Sequence, residues 1–232
     1  MDNIRHGLTW TVQCCALLLL VAVLVSRETD AAAAGAVPWT LPLVKAEQWG
    51  SVSETAAPLG TPDRQPYRSR PQTHIIGLTV HHQGEIWTDG ADVAAYLRRL
   101  QQWSRRDRNW VDVPYHYIVA PDGAVYEGRS VHWAGDSNTD YDTQGHVQVM
   151  LLGNFEEQQP HVAQLRATAS LLGQLMRTHS LGADRIVAHR HHTSQTVCPG
   201  ENLMAVFEAL LQHAREQARD QVREQQSAAP KR

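Results

Sequence analysis

The chain has 232 residues, 42% of them hydrophobic, and a formal charge of -3, which suits one domain of ordinary size with a real core and appendages. It has no basic excess and no long block of lysine or arginine. Nothing in it is suited to grip a phosphate backbone, so nucleic acid is not an expected partner.

Residues 1–36 read as an export leader. Arg5 and His6 precede "CCALLLLVAVLVS", in which two cysteines lead into an apolar run, and the small-residue stretch "AAAAGA" offers several cleavage points. Leu8 to Val25 is borderline in length for a membrane span, and Thr9, Thr11 and Gln13 weaken it. The expectation is therefore an exported protein, periplasmic or secreted, with no stable span after cleavage. Cys14 and Cys15 come before the apolar run, which argues against a lipid anchor. Residues 37–71, rich in proline, threonine, serine and glycine, form an irregular arm whose apolar cluster is "WTLPLVKAEQWG".

The domain body spans 72–215. In "HIIGLTVHH" the β-branched residues and apolar character on both faces predict a central strand covered on each side. "ADVAAYLRRLQQW" sets Val93, Leu97 and Leu100 at helical spacing, with Asp89 or Asp92 as cap. "VPYHYIVAPDGAVYEGR" is two short strands around a "PDG" turn, where glycine supplies the positive φ. "VQVMLLGNF" reads as a buried strand ending at Gly153. "VAQLRATASLLGQLMRTH" puts Leu165, Leu172, Leu175 and Met176 on one helical face. "RIVAH" is a short strand, and "ENLMAVFEALLQHAREQ" is a last helix burying Leu203, Phe207, Leu210 and Leu211. Residues 216–232 are charged and read as a fraying helix and solvated tail. Strands alternating with helices, with a hairpin in the middle, predict a single α/β domain of the mixed α+β kind: a central mixed β-sheet with helices packed on it.

Once the leader is removed, Cys198 in "VCPGENL" is the one cysteine left in an exported chain, where cysteines usually pair. An inert buried thiol, intermolecular pairing, a reactive thiol and a metal ligand are all open readings. Histidines weight the last of these. His81 and His82 close the first strand, His116 lies in the hairpin, and His189, His191 and His192 follow "IVA". Strand ends meeting along one sheet edge can gather two imidazoles and a thiolate into a three-ligand zinc site with an open fourth position, the catalytic rather than the structural pattern. Neighbours on a strand point to opposite faces, so one of His81 and His82 can serve, but the pattern does not say which.

The segments "LTVHHQG", "WVDVPYHYIVAPDGAVYEGR", "LLGNFE" and "VAHRHHTSQTVCPGENL", in this order, resemble the zinc-dependent N-acetylmuramoyl-L-alanine amidases related to phage lysozyme-type amidases and peptidoglycan recognition proteins. "LVKAEQWGS" in the arm resembles the recognition proteins too, so the likeness covers roughly residues 42–212. It implies one zinc ion held by His81, His189 and Cys198, with Tyr115 and Thr196 as catalytic residues. It also implies that Arg129 contacts the stem peptide, with His116 and His82 as further substrate-binding residues. The implied partner is peptidoglycan or muropeptides, handled by a monomer.

The chemistry fits those roles. Hydrolysing an amide needs a nucleophile, a polarised carbonyl and stabilisation of the oxyanion; zinc supplies the first two by acidifying water and acting as a Lewis acid. Tyr115 and Thr196 would donate to the oxyanion, tyrosine being a better donor than base at neutral pH. The sequence departs from the family pattern in three places. "HWAG" exchanges His132 and Trp133 relative to the usual order and puts a groove contact there in question. The loop from His189 to Cys198 is one residue longer than in close recognition proteins, which makes His191 an alternative ligand. "VQV" stands where "IGI" is usual and reads as a packing change. Two other functions use the same residues: a cysteine hydrolase with Cys198 as nucleophile and His189 or His81 as base, and a non-catalytic receptor for glycan-linked peptide.

Overall fold

The computed structural model describes residues 41–52 and 70–228, all within the unit Thr40–Arg232. The expected leader, most of the arm and the last four residues lie outside the described residues. Among those described, no helix is long and apolar enough to cross a membrane.

Strand β1 (Gly77–His82) is buried at all six positions, as its two-sided apolar pattern predicts for a strand covered on both faces. It lies in a five-stranded sheet with β2 (Tyr117–Val119), β3 (Val125–Glu127), β4 (His146–Leu151) and β5 (Ile186–Ala188), in the order β3-β2-β4-β1-β5. Pairing is parallel between β1 and β4, β1 and β5, and β2 and β4; only the hairpin β2–β3 is antiparallel. The predicted "PDG" turn closes that hairpin, with Gly123 at φ 90° and the Asp122 carboxylate accepting from the Ala124 amide. This is the mixed sheet the sequence predicts.

Helix α1 (Val93–Arg108) starts at Asp92, whose carboxylate accepts from the Ala95 amide at 3.0 Å; of the two candidate caps, this one satisfies an orphan N–H of the first turn. Leu97 packs in one cluster with Ile118, Met150 and Trp49. The arm's "QW" segment is thus part of the core. Trp49 is 1% exposed and its indole donates to the Glu127 carbonyl, while Val44 hydrogen-bonds the main chain of β3.

Helix α2 (Val162–Thr178) buries Leu172, Leu175 and Met176 as expected, but Leu165 is only half-buried and Gln164 takes the interior position instead. The Gln164 amide donates to the carbonyls of Val119 and Leu152, both at 2.9 Å. The Val119 carbonyl also accepts from the Leu152 amide at 3.0 Å, so the glutamine adds a second donor there and satisfies the buried Leu152 carbonyl, a gain that outweighs the loss of a leucine at this position. The predicted last helix is two helices, α3 (Glu201–Met204) and α4 (Phe207–Ala228), separated at Ala205–Val206. Leu203, Phe207, Leu210 and Leu211 are buried all the same. Gly173 on α2 lets α4 come close: a Cβ there would lie 2.9 Å from the Ala214 carbonyl oxygen.

Candidate metal centre

Parallel register builds the site. Val80 on β1 pairs with Ala188 on β5, so the next residues, His81 and His189, stand side by side at the strands' C-terminal ends. Their ring centroids are 4.5 Å apart. The loop after His189 returns to the same edge, held by the Arg190 amide donating to the Cys198 carbonyl at 2.8 Å. Cys198 Sγ accepts from the His82 amide at 3.3 Å and lies 3.7 Å from His81 Nδ1. All three side chains are buried, and one ligand atom from each lies within 4.8 Å of the others. Donors around one tetrahedral zinc sit about 3.3–3.8 Å apart, given bonds of about 2.0–2.3 Å. The His81–Cys198 pair, at 3.7 Å, already has that spacing, while the set as a whole extends to 4.8 Å and would draw in slightly around an ion; two nitrogens and one sulfur, with no carboxylate among them, are a donor set that fits a zinc-type ion.

The protonation states suit that reading. Burial first, then the proximity of His189, holds the His81 imidazole well below its ordinary pKa. Burial, with His192 and His82 nearby, takes His189 down to about 4. Both rings are therefore neutral and ready to ligate at pH 7. Burial pushes the Cys198 thiol up to about 12, so the thiol keeps its proton until a cation displaces it. His81 Nε2–H donates to Gln148 Oε1 at 2.6 Å, which turns Nδ1 toward Cys198. His189 Nε2 is 2.8 Å from the Thr139 hydroxyl.

The alternation left open between His81 and His82 falls to His81 in the geometry. The His82 ring points away and its Nδ1 accepts from the Phe155 amide at 3.2 Å; the ring still borders the groove described below. His191 is outside the cluster, its ring edge-on to Phe207 and its Nδ1 facing the Ala188 amide.

The three donors line an open groove of about 700 Å³, together with Tyr96, Arg99, Trp103 and Trp110. Tyr115 borders the same groove with its ring 5.3 Å from that of His81. Burial, with the Cys198 thiol close by, raises its hydroxyl well above the usual phenol value, so it is a donor at every physiological pH. Thr196 also lines the groove; its oxygen accepts from the Cys198 amide at 3.1 Å, leaving its own proton free to donate.

Two expected substrate contacts are placed elsewhere. Arg129 is 2% exposed, and its guanidinium donates to the carbonyls of Val113, Ala134 and Asp112 and pairs with Asp136. A cation so buried needs all of these partners, and it braces the 112–136 segment instead of reaching the groove. His116 is fully buried; its Nδ1 accepts from the Gln148 amide and its Nε2–H donates to the Trp133 carbonyl, both at 2.8 Å. It ties β4 to the "HWAG" segment, where His132 is exposed and outside the groove lining. In both cases a motif position gave the residue but not the direction of its side chain. Conversely, Gln148 and Thr139 touch the two histidines without having been singled out. The polar residue inside the apolar run "VQVMLL" was the available signal for Gln148; "DSNTD" carries none for Thr139.

The family model described as N-acetylmuramoyl-L-alanine amidase (Amidase_2) matches residues 71–201. Among curated relatives, the N-acetylmuramoyl-L-alanine amidase of Sus scrofa is 33% identical over 145 residues, 60% of this chain and 24% of that protein. Peptidoglycan-recognition protein SD of Drosophila simulans is 31% identical over 136 residues, 56% of this chain and 70% of that protein. The chain thus spans about a quarter of the mammalian amidase it matches. Among solved structures, peptidoglycan recognition protein-1 of Manduca sexta aligns with a TM-score of 0.59 at 23% identity, covering 72% of this chain and 90% of that one, a likeness of fold. With more than half its length matched by the family model, the chain belongs to the N-acetylmuramoyl-L-alanine amidase (Amidase_2) family.

Proposed function

We propose that the protein is an exported zinc-dependent amidase that hydrolyses the bond between the lactyl group of N-acetylmuramic acid and the L-alanine of peptidoglycan stem peptides. The observation that carries this reading is the convergence of His81, His189 and Cys198, all buried, with Tyr115 beside them on the lining of an open groove. A zinc ion held by the three would acidify a water molecule and polarise the scissile carbonyl. The chain's own groups do the rest. His81 and His189 are held neutral as ligands, Tyr115 donates to the oxyanion that develops on the carbonyl, and Thr196 offers a second proton from the same groove. The groove orients sugar and peptide on either side of that carbonyl. The leader read at residues 1–36 would bring the protein to its substrate.

The alternatives are weaker on physical grounds. A nucleophilic cysteine is activated by a lowered pKa, whereas burial pushes Cys198 up to about 12. A receptor that only binds has no need of three metal-ligand side chains and a half-buried phenol in one place. Digestion of purified peptidoglycan by zinc-loaded and metal-stripped protein, with mass analysis of the products, tests the proposal. Free stem peptides and intact glycan strands are expected from the zinc-loaded protein alone; newly reducing sugars would overturn the assignment of the bond.

A further inference from the structure

Gln148 sits fully buried on β4 directly opposite Thr79 of β1. Thr79 and His81 share a face of β1, so a side chain reaching diagonally from Gln148 meets the His81 ring. Its oxygen receives two donors: His81 Nε2–H at 2.6 Å and the Tyr141 hydroxyl. The amide nitrogen faces the His146 carbonyl at 3.5 Å, in keeping with the oxygen being the end turned to His81 and Tyr141. The side chain is accommodated because residue 135 is glycine; a Cβ there would come within 2.5 Å of Gln148 Cγ. Tyr141 is held in turn, its ring stacked on His192 at 4.5 Å and 5.0 Å from the ring of His189.

An imidazole ligand must present one nitrogen to the metal and keep its proton on the other. Whatever accepts that proton selects the tautomer and aims the ring. We propose that Gln148, braced by Tyr141, is the positioning residue that commits His81 to ligation through Nδ1. Tyr141 thus touches one histidine ligand with its ring and steadies the other through Gln148. The acceptor is an amide rather than a carboxylate, so it orients His81 without adding negative charge behind the metal.

This inference rests on the zinc reading above, and the test separates the two. Gln148→Met keeps the side chain's length and removes its acceptor; Gln148→Glu keeps an acceptor and adds charge. Zinc affinity is read by chelator competition, and ligand geometry by the visible absorption of the cobalt(II)-loaded protein. The thermal midpoint of the metal-stripped forms serves as a fold control. Gln148→Met is expected to bind zinc about 10–100-fold more weakly with altered cobalt bands. Gln148→Glu is expected to bind at least as tightly as the original with shifted bands, and Tyr141→Phe to weaken binding less than Gln148→Met does. Original affinity and an unchanged cobalt spectrum in Gln148→Met would overturn the role of Gln148. Should Gln148→Met fail to fold, an unmoved spectrum in Gln148→Glu would overturn it equally. If the unaltered protein takes up no zinc, the metal reading itself falls and this role with it. Normal zinc uptake with unmoved variants removes only the role of Gln148.

Discussion

At the scale of single residues, Tyr115 separates catalysis from binding. Its hydroxyl is not a metal ligand, and burial keeps it protonated. Tyr115→Phe is therefore expected to reduce turnover by about a hundredfold, the usual loss for one oxyanion donor, while substrate affinity and zinc content stay the same, because the interaction exists only in the transition state. Thr196→Val should act in the same direction but more weakly. Parallel measurement of kcat, KM and bound zinc checks this, and unchanged turnover in Tyr115→Phe would remove the residue from the mechanism. The sequence shows why the cluster was legible and its surroundings were not. An odd cysteine in a chain whose leader reads as an export signal and histidines at strand ends are local signals that point to a metal. Which of His81 and His82 turns inward depends on the phase of β1 against its neighbours, and periodicity leaves that phase undetermined by one residue. Arg129 and His116 carry groups common in binding sites, and only three-dimensional packing shows their donors used up on backbone carbonyls.

At the scale of elements, β1, the hairpin and α1 follow from their patterns because each has a clean apolar period or a turn residue with one conformational use. The last helix does not, since Leu203 and Phe207 fall on one stripe whether or not the helix is interrupted between them. The meeting of α2 and α4 gives an element-scale prediction in which two effects oppose. Gly173→Ala should stabilise an isolated helix by about 1 kcal/mol. Here, however, the added Cβ meets the Ala214 oxygen at 2.9 Å, Gln217 Cβ at 2.9 Å and the Ala218 nitrogen at 3.1 Å. Two of these are helix backbone and can yield only if α4 moves, an overpacking cost of about 1–3 kcal/mol. The crowding wins, and a lower urea midpoint is expected for Gly173→Ala; a higher one would mean that α4 shifts without penalty.

At the scale of the whole molecule, buried neutral histidines make the fold acid-sensitive. Burial takes His116 to about 3 and His189 to about 4, and holds His81 well below its usual value. In the unfolded chain these rings take up protons below about 6.5, so there the unfolded state binds more protons than the folded one. The stability they contribute is full above that value and is lost as pH falls toward 3 to 4. The buried carboxyl of Asp112, pushed up by burial, works the other way, one group against these three. Metal-stripped protein should show a urea midpoint that falls from pH 7 to pH 5, with a smaller fall in His116→Gln; a flat profile would contradict the burial of neutral rings.

The two ends of the metal cluster, His81 and Cys198, are 117 positions apart in the chain, and His189 reaches His81 only through the parallel pairing of β5 with β1. The cluster therefore cannot exist until the longest-range contacts of the sheet have closed, the slow step for a topology of this kind. On the zinc reading, the ion would meet an assembled site rather than guide its assembly. Stopped-flow refolding should thus show the same folding rate with and without zinc, and the metal's whole stabilising effect should appear as slower unfolding. Faster folding in the presence of zinc would mean instead that the cluster forms before the sheet's barrier is crossed.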